Sequence, residues 1–293
     1  MASPEWTSPI PNSNRNRRPR FAAAAPCYHL EGPYLSPGPS KGVHNPAWMR
    51  PPDWSEFEEL QEAAGGNIGI VTLVPELSGA LEFITRAYQA GVVAALGHTD
   101  CSPQQIHAAV EAGARLSTHL GNGCAQMLDR HANPLWAQLA RDELSASIIC
   151  DTFHLPPDLV KVILRMKGID RCLLVTDASH VATLTPGRYS LVGAEIELLP
   201  EGKVIKSDGA CLAGSALAMN RAVALFMRLA GASLGDALRA ATRTPATLLG
   251  RSEVCARVAP GEYANLLLAR YRPDGLEVVA TYLGGEEVYR EDR

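Results

Sequence analysis

Apolar runs and helical patterns alternate along the chain from about residue 22 to residue 177. Apolar runs of strand length occur at residues 22–30, 68–74, 92–97, 114–118, 146–150 and 172–176. Between them, segments with helical periodicity occupy residues 54–64, 80–90, 103–112, 136–140 and 157–166. This alternation is typical of βα units around a parallel sheet. The sequence therefore predicts an α/β fold, a (β/α) TIM-type barrel rather than a short open sheet.

The pattern changes after the sixth predicted strand. Residues 189–199 and 203–207 flank Pro200-Glu201-Gly202 and predict a β-hairpin. Residues 216–229 and 234–242 predict two helices. Near the C-terminus, residues 264–269 and 276–289, with a turn at Gly284-Gly285, predict strands of a small separate sheet. The N-terminal residues are rich in Pro, Ser, Asn and Arg without apolar periodicity. We expect a disordered leader over 1–21, a barrel over 22–255 and a β segment of a small accessory domain over 256–293.

Composition narrows the classes of function. The 293 residues carry 27 Lys+Arg against 31 Asp+Glu, a net charge of -4, which favours neither nucleic acid nor a membrane surface as partner. No apolar run reaches the roughly 20 residues that span a bilayer, and no signal peptide is evident. The seven cysteines occur without a CxxC pair, which argues against a disulfide framework. We expect a cytoplasmic protein that acts on a small molecule.

Metal-capable side chains occur where the predicted strands end. Glu31 follows the first strand, His98 the third and His119 the fourth. The carboxyl ends of barrel strands meet at one mouth, where active sites are assembled. One carboxylate and two imidazoles suit Zn²⁺ or another first-row divalent ion, and leave a position open for water. Each residue alone is also consistent with an ordinary polar loop position.

Asp177 ends the sixth predicted strand, in Leu173-Leu174-Val175-Thr176-Asp177-Ala178. A carboxylate beside a metal-activated water can take the proton of that water and pass it to a leaving amine. Asp177 is therefore the candidate catalytic acid/base. The alternative is an acid that caps the next element.

Several loop residues are candidates for substrate contact. His154 lies in a strand-to-helix loop, where simple loop packing is the alternative. His44 lies in a Gly- and Pro-rich loop after Glu31, where an exposed structural histidine is the alternative. Gly121-Asn122-Gly123-Cys124 could turn backbone N–H groups towards an anion. Arg130 could pair with a phosphate, or could be a solvated surface charge.

At these positions the sequence resembles the amidohydrolase superfamily and, within it, the N-acetylglucosamine-6-phosphate deacetylase family. The matching segments are His29-Leu30-Glu31-Gly32-Pro33-Tyr34, Lys41-Gly42-Val43-His44, Gly97-His98-Thr99, Thr118-His119-Leu120 with Asn122, Asp151 to His154, Thr176-Asp177-Ala178 and Leu212-Ala213-Gly214-Ser215. They follow the family's order over about residues 27 to 270.

The resemblance implies metal-dependent hydrolysis of N-acetylglucosamine 6-phosphate to glucosamine 6-phosphate and acetate, in amino-sugar catabolism. It implies one divalent ion, Zn²⁺ first with Fe, Co or Mn as alternatives, bound by Glu31, His98 and His119. Asp177 would be the acid/base. The substrate-contacting positions would be His44, Asn122, Gly123, Arg130, His154 and Leu212. The arginine side of the phosphate pocket is often completed across a homodimer in this family.

The sequence also departs from the family pattern. The family usually has N-A-M where this chain has Asn122-Gly123-Cys124, and D-G-x-H where this chain has Thr152 after Asp151. Nothing before Ala22 resembles the family's N-terminal β-sandwich strands or its first barrel strand. We therefore expect an incomplete barrel with a remnant of the sandwich domain at the C-terminus. The alternatives to an active deacetylase are a catalytically inactive truncated homologue, a deacylase of a different N-acyl amine, and a protein that binds amino-sugar phosphates without hydrolysis.

Overall fold

Six parallel strands, each paired with the next along the chain, form the main sheet. They are β1 (Tyr28–Glu31), β2 (Ile68–Leu73), β3 (Val93–Leu96), β4 (Leu116–Ser117), β5 (Ser145–Ile149) and β6 (Cys172–Val175). The computed structural model describes residues 25–191, 193–252 and 258–291, so the expected leader lies outside the described residues. Within those ranges β6 does not pair with β1, and a closed barrel of this class has eight strands. The predicted barrel is confirmed as an incomplete one.

Helices connect the parallel strands and cover the outer face of the sheet. They are α1 (Trp54–Ala63), α2 (Ala80–Gln89), α3 (Pro103–Ala112), α4 (Pro134–Ala140) and α5 (Pro157–Lys167). Apolar side chains of the strands that point outward, such as Leu73 and Leu96, are buried against α2 and α3. The start of α3 is fixed by a capping box between Ser102 and Gln105, as a Ser before a first-turn Pro predicts.

In the part of the chain that the structure describes, three further α-helices follow β6, namely α6 (Met219–Ala230), α7 (Leu234–Ala241) and α8 (Arg243–Leu248). The first two were expected from the sequence, and α8 was not. Leu248 and Leu249, at the end of α8, pack against inward-facing side chains of the sheet such as Val93 and Leu116. The alternation of inward and outward residues along each strand thus buries both faces of the sheet. In the described part of the chain, no helix is long and apolar enough to cross a bilayer.

The predicted hairpin over residues 189–207 is instead a three-stranded antiparallel sheet of β7 (Gly187–Leu191), β8 (Ala194–Leu198) and β9 (Val204–Lys206). The expectation of one strand over 189–199 was wrong. A turn separates Leu191 from Ala194, which face each other across the β7/β8 pair, and Gly193 adopts φ 77° there. Only a residue without Cβ takes that conformation easily, so the glycine breaks an otherwise continuous alternating pattern.

The C-terminal strands β10 (Leu266–Arg272), β11 (Gly275–Leu283) and β12 (Glu286–Arg290) form the small antiparallel sheet expected from the sequence. This sheet lies against α6 through β11, where Asn220 Nδ2 donates to the Leu276 carbonyl at 3.0 Å. The expected boundary after residue 255 falls in the undescribed stretch 253–257, so the division into two domains stays a prediction.

The six described cysteines are free thiols, and Cys255 lies outside the described residues.

Candidate metal centre and active site

The three predicted metal ligands meet at the carboxyl edge of the main sheet. Glu31 is the last residue of β1, while His98 and His119 each lie two residues beyond the ends of β3 and β4. Oε1 of Glu31 lies 2.7 Å from His98 Nε2 and 3.1 Å from His119 Nε2, and the two Nε2 atoms are 3.2 Å apart. Both histidines are buried. Parallel strands thus bring together residues that are 67 and 88 positions apart in the chain.

The backbone bends sharply where these side chains leave their strands. His98, His119 and Asp177 have φ values of 56°, 32° and 48°, in the left-handed region that residues with a Cβ seldom adopt. Among the described residues, only Thr152 joins them as a further non-glycine residue with positive φ. Strained backbone of this kind persists where the surrounding structure holds it, and it clusters at functional sites.

Neighbouring loops fix the orientation of both histidines. The Nδ1 atom of His98 lies 2.8 Å from the Ser40 carbonyl oxygen, so this nitrogen carries the proton and Nε2 presents its lone pair to the cluster. The backbone N–H of His119 donates to Ser147 Oγ at 2.8 Å. Nδ1 of His119 is buried and has no hydrogen-bond partner in the described residues. At least one of the two predicted ligand rings is therefore held in its tautomer by a backbone carbonyl.

The charges of the cluster stabilise one another. Burial disfavours the charged form of Glu31, but attraction to His119 and hydrogen bonds from His119 and His44 hold the pKa of its carboxyl well below the usual range. Burial alone would lower the pKa of His119, whereas the carboxylates of Glu31 and Asp177 outweigh that effect and raise it. The cluster is thus a buried carboxylate surrounded by imidazoles, a set of groups that a cation would satisfy.

The geometry fits a divalent metal ion. Glu31, His98 and His119 each offer one ligand atom, and these three atoms lie within 4.8 Å of one another. Tetrahedral ligands at zinc bond lengths stand about 3.3 Å apart, slightly wider than the separations here, so a small outward movement accommodates an ion. Nitrogen and carboxylate ligands suit first-row divalent ions. The donor set supports a divalent metal without selecting one element.

Asp177 lies two residues beyond the end of β6 and faces the same cavity as the three ligands. Asp177 is exposed towards the cavity. The protein around its carboxyl group nevertheless reduces hydration of the charged form, and this burial raises the pKa of the carboxyl. The backbone of Asp177 is held by a neighbouring loop, in which Ser215 N donates to the Asp177 carbonyl oxygen at 2.8 Å. Gly214 permits this approach, since a Cβ there would lie 2.9 Å from that oxygen. The Leu212-Ala213-Gly214-Ser215 motif therefore holds Asp177 in place.

A cavity of about 1130 Å³ contains most of the other predicted site residues, in addition to the cluster. Those that line it are His44, Asn122, Gly123, His154 and Leu212. The His44 ring packs edge-on against His98, with ring centroids 4.6 Å apart, and its Nε2 lies 3.5 Å from Glu31 Oε1. Gly123 lies close to both histidines, because a Cβ there would be 3.0 Å from atoms of each ring.

Asp151 fixes the ring of His154. Its Oδ2 lies 2.7 Å from His154 Nδ1, and its Oδ1 accepts the backbone N–H groups of Phe153 and His154. Both side chains are almost fully buried. The pair leaves Nε2 of His154 as the free ring atom on a residue that lines the cavity. In the sequence Asp151 was noted only as part of a motif, although Asp is a residue typical of Asx turns, in which its side chain accepts the N–H two residues on, here that of Phe153.

Arg130 is the predicted site residue that the structure leaves outside the cavity. It lies in an exposed loop, where its carbonyl oxygen accepts a hydrogen bond from Trp136 Nε1. Two cations that were not predicted line the cavity, Lys41 and Lys206. Lys41 belongs to a motif noted in the sequence. The position of Lys206 carried no sequence signal, because only the packing of the β7–β9 sheet brings it to the cavity.

Comparison with known proteins gives a consistent result, although no family model matches the chain. The N-acetylgalactosamine-6-phosphate deacetylase of Escherichia coli O157:H7 is 31% identical over 258 residues, 88% of this chain and 67% of that protein. The N-acetylglucosamine-6-phosphate deacetylase of Bacillus subtilis is 31% identical over 257 residues, 88% of this chain and 63% of that protein. A Mycobacterium smegmatis N-acetyl-D-glucosamine-6-phosphate deacetylase mutant, solved with N-acetyl-D-glucosamine-6-phosphate, matches with a TM-score of 0.83 and 32% identity, covering 92% of this chain and 70% of that chain.

Fold and site together define the class of this protein, an amidohydrolase-type β/α barrel with a candidate divalent-metal centre at its mouth. The chain spans about two thirds of the length of the curated relatives it matches. It belongs to the N-acetylglucosamine-6-phosphate deacetylase family.

Proposed function

We propose that the protein hydrolyses the N-acetyl amide of an amino sugar phosphate, converting N-acetylglucosamine 6-phosphate to glucosamine 6-phosphate and acetate. The observation that carries the proposal is the convergence of Glu31, His98 and His119 on one point of a cavity that Asp177 also lines. The names of the relatives support the substrate class. Because those names include both the galactosamine and the glucosamine derivative, the sugar epimer is part of the test.

In this mechanism Glu31, His98 and His119 would hold one divalent ion, with zinc as the first candidate. When bound, the ion would polarise the acetyl carbonyl and make a water molecule more acidic. Asp177 would take the proton of that water and deliver it to the leaving amine. The raised pKa of Asp177 suits this double role, because a carboxyl group that exchanges protons works best when its pKa is nearer the operating pH.

The remaining cavity residues are proposed to bind the sugar phosphate. His44 and His154 would contact hydroxyl groups or the reacting carbonyl, Asn122 and Gly123 would face the phosphate side, and Leu212 would cover the acetyl group. Within the described residues, Lys41 and Lys206 are the cations that line the cavity, and we propose that they attract the phosphate. Arg130 would take part only across a homodimer, as the resemblance implies for the arginine side of the pocket.

Metal analysis of the purified protein combined with an acetate-release assay tests the proposal. The substrates are the N-acetyl derivatives of glucosamine and galactosamine, each with and without the 6-phosphate. We expect about one equivalent of divalent metal, and acetate release that is faster with the phosphorylated sugars. Asp177→Asn is expected to retain the metal and to lose activity by at least about a hundredfold, the lower range for a lost acid/base group. Full activity of Asp177→Asn would refute its role.

Glu31→Gln separates metal binding from proton transfer. Loss of a direct anionic ligand should weaken metal affinity by more than the 10- to 100-fold that is typical of outer-shell partners, so we expect at least about a hundredfold. The matched control is Glu111→Gln, which removes an exposed carboxylate paired with Arg141 and should leave metal affinity unchanged. Equal metal affinity of Glu31→Gln and the wild type would end the proposal.

The open six-stranded sheet favours one alternative, a catalytically inactive homologue that still binds metal and ligand. That alternative predicts a metal-loaded wild type that leaves acetylated sugars intact after long incubation. The departures at Gly123 and Thr152 favour another alternative, a deacylase of a different N-acyl amine. That alternative predicts turnover of other N-acetyl amines but not of the phosphorylated amino sugars.

A further inference from the structure

One carboxylate outside the cavity joins two loops that each form part of its wall. Asp100 lies two residues after His98, and its Oδ2 accepts the backbone N–H of Ser40 at 3.2 Å. Its other oxygen, Oδ1, accepts the backbone N–H of Ala125 at 3.0 Å. Asp100 therefore connects residues 60 positions before it and 25 positions after it. It does not line the cavity itself.

The first of these loops is bonded directly to a predicted metal ligand. Ser40 is 1% exposed, and its Oγ donates to the His98 carbonyl oxygen at 2.9 Å. Its own carbonyl oxygen lies 2.8 Å from His98 Nδ1. The ring and the backbone of His98, which has an unfavourable φ, are thus both held by Ser40. Asp100 in turn holds Ser40, so a continuous chain of hydrogen bonds leads from Asp100 to the metal cluster.

Both loops carry residues that line the cavity. The first includes Lys41 and His44, and the second includes Asn122 and Gly123. Asp100 is well placed to hold them because its own backbone is anchored, with its N–H donating to Glu76 Oε1 at 3.3 Å. Glu76 is held in turn by Thr99, whose Oγ1 donates to Oε2 at 2.6 Å.

We propose that Asp100 is a positioning residue, which sets the two loops against His98 and so determines both substrate affinity and the geometry of the metal centre. This inference rests on the proposed function for its effect on the substrate, but not for its effect on the loops and the metal. A carboxylate is needed because two backbone N–H groups approach from different loops and each requires an acceptor oxygen. An asparagine offers one acceptor oxygen and can therefore hold one loop only.

The test compares the wild type, Asp100→Asn and Asp100→Ala with the control Asp53→Asn. Asp53 is also exposed and accepts a backbone N–H, from Glu56, but it caps α1 away from the cavity, where asparagine caps equally well. The measurements are zinc affinity by titration, hydrogen exchange of residues 38–44 and 121–126, and kinetics at saturating metal. Thermal melting of each variant reports whether it is folded.

We expect Asp100→Ala to raise hydrogen exchange in both segments, and Asp100→Asn to raise it mainly in one. Zinc affinity should fall about tenfold in Asp100→Ala, the lower range for the loss of an outer-shell partner. At saturating metal, KM should rise about tenfold while kcat changes by less than about twofold, because bound metal restores the positions of its ligands and Asp177 lies on neither loop.

Wild-type zinc affinity together with unchanged exchange in folded Asp100→Ala would overturn the inference, whether or not the wild type is active. A fall in kcat at unchanged KM would also contradict it, because Asp100 would then act on the reaction rather than on the loops. If the wild type releases no acetate, the zinc and exchange measurements still decide the inference while the proposed function fails on its own.

Discussion

Backbone strain at single residues distinguishes the site from the rest of the described chain. Three of the four non-glycine residues with positive φ are proposed to bind the metal or to transfer protons, namely His98, His119 and Asp177. The fourth, Thr152, lies between Asp151 and His154 with φ 74°, and its residue surface is exposed. The family usually has glycine at this place. Thr152 thus carries strain in a turn that serves the Asp151–His154 pair, without a contact of its own that requires a threonine.

Replacing Thr152 with glycine is therefore expected to stabilise the protein. A β-branched residue in the left-handed region costs about 1–3 kcal/mol. Glycine removes that strain, at an entropic cost of about 0.5–1 kcal/mol. We expect Thr152→Gly to raise the free energy of unfolding by about 1 kcal/mol, measured by urea unfolding, and to raise Tm by about 2 °C. The hydrogen bonds of Asp151 and His154 are expected to persist.

The control for this prediction is Thr185→Gly. Thr185 is also exposed, but its φ is not positive, so glycine should relieve no strain and should lower stability by about 0.5–1 kcal/mol. Destabilisation of similar size in both variants would show that the turn at Thr152 is not strained.

At the scale of elements, apolar periodicity predicted the six parallel strands and the first five helices because each buries a face against a neighbour. It failed where a conformation depended on one residue or on packing alone. The expected strand over 189–199 turns at Gly193, although its alternating pattern continues through the turn. Helix α8 was missed because its six residues are too short for a helical period to be recognised, and its existence depends on Leu248 filling the interior of the sheet.

The end of α5 contains a feature that hydrophobic patterns cannot reveal, a buried lysine. Lys167 is 1% exposed, and its Nζ donates to the carbonyl oxygens of Gln138 and Arg141 at 2.6 and 2.7 Å. Burial lowers the pKa of Lys167 to about 8. The lysine thus satisfies carbonyl groups at the end of α4, while its charge is disfavoured by the surrounding protein.

This shift predicts how stability depends on pH. The unfolded lysine has a pKa near 10.5, so between about pH 8 and pH 10.5 the unfolded chain binds a proton that the folded chain has released. The contribution of Lys167 to stability should therefore rise with pH across this window, by roughly 3 kcal/mol in total, and should be lost as pH falls through about 8. Urea unfolding at a series of pH values measures it as the difference between the wild type and Lys167→Met.

Burial raises the pKa of thiols such as Cys150 and Cys172, and their titration lowers stability at high pH. Because both proteins contain these thiols, their effect cancels in the difference between the wild type and Lys167→Met. Lys161→Met, in the same helix but with a less enclosed side chain, is the control for the loss of a lysine from α5. A constant difference between the wild type and Lys167→Met from pH 7.5 to pH 10 would contradict the prediction.

At the scale of the whole molecule, the site is assembled from strands that lie far apart in the sequence. The positions of Glu31, His98, His119 and Asp177 after predicted strands were enough to predict the site, because the topology of a parallel sheet brings the carboxyl ends of its strands to one edge. It could not predict Lys206, which reaches the cavity through the packing of a separate sheet, nor the exposed position of Arg130. Loop residues are placed by tertiary contacts, which a local pattern does not contain.

The C-terminal sheet is the largest concentration of exposed apolar side chains in the described molecule. Along β10, Leu267 and Leu268 are 51% and 53% exposed, and Tyr271 is 50% exposed. Tyr289 on β12 is 49% exposed. The strands that carry these side chains are the two edge strands of their sheet. Exposed apolar patches and unpaired edges favour association with other chains.

We therefore expect the purified protein to self-associate through this sheet, with an apparent mass by sedimentation that rises above 31.4 kDa as concentration increases. Leu267→Lys combined with Leu268→Glu places charges on the edge strand, which should hold the protein at the monomer mass at every concentration. Met166→Lys is the control, since Met166 is 50% exposed on α5, away from this sheet, and its replacement should not change the association. A wild type that stays monomeric at all concentrations would show that the exposed apolar side chains do not drive self-association.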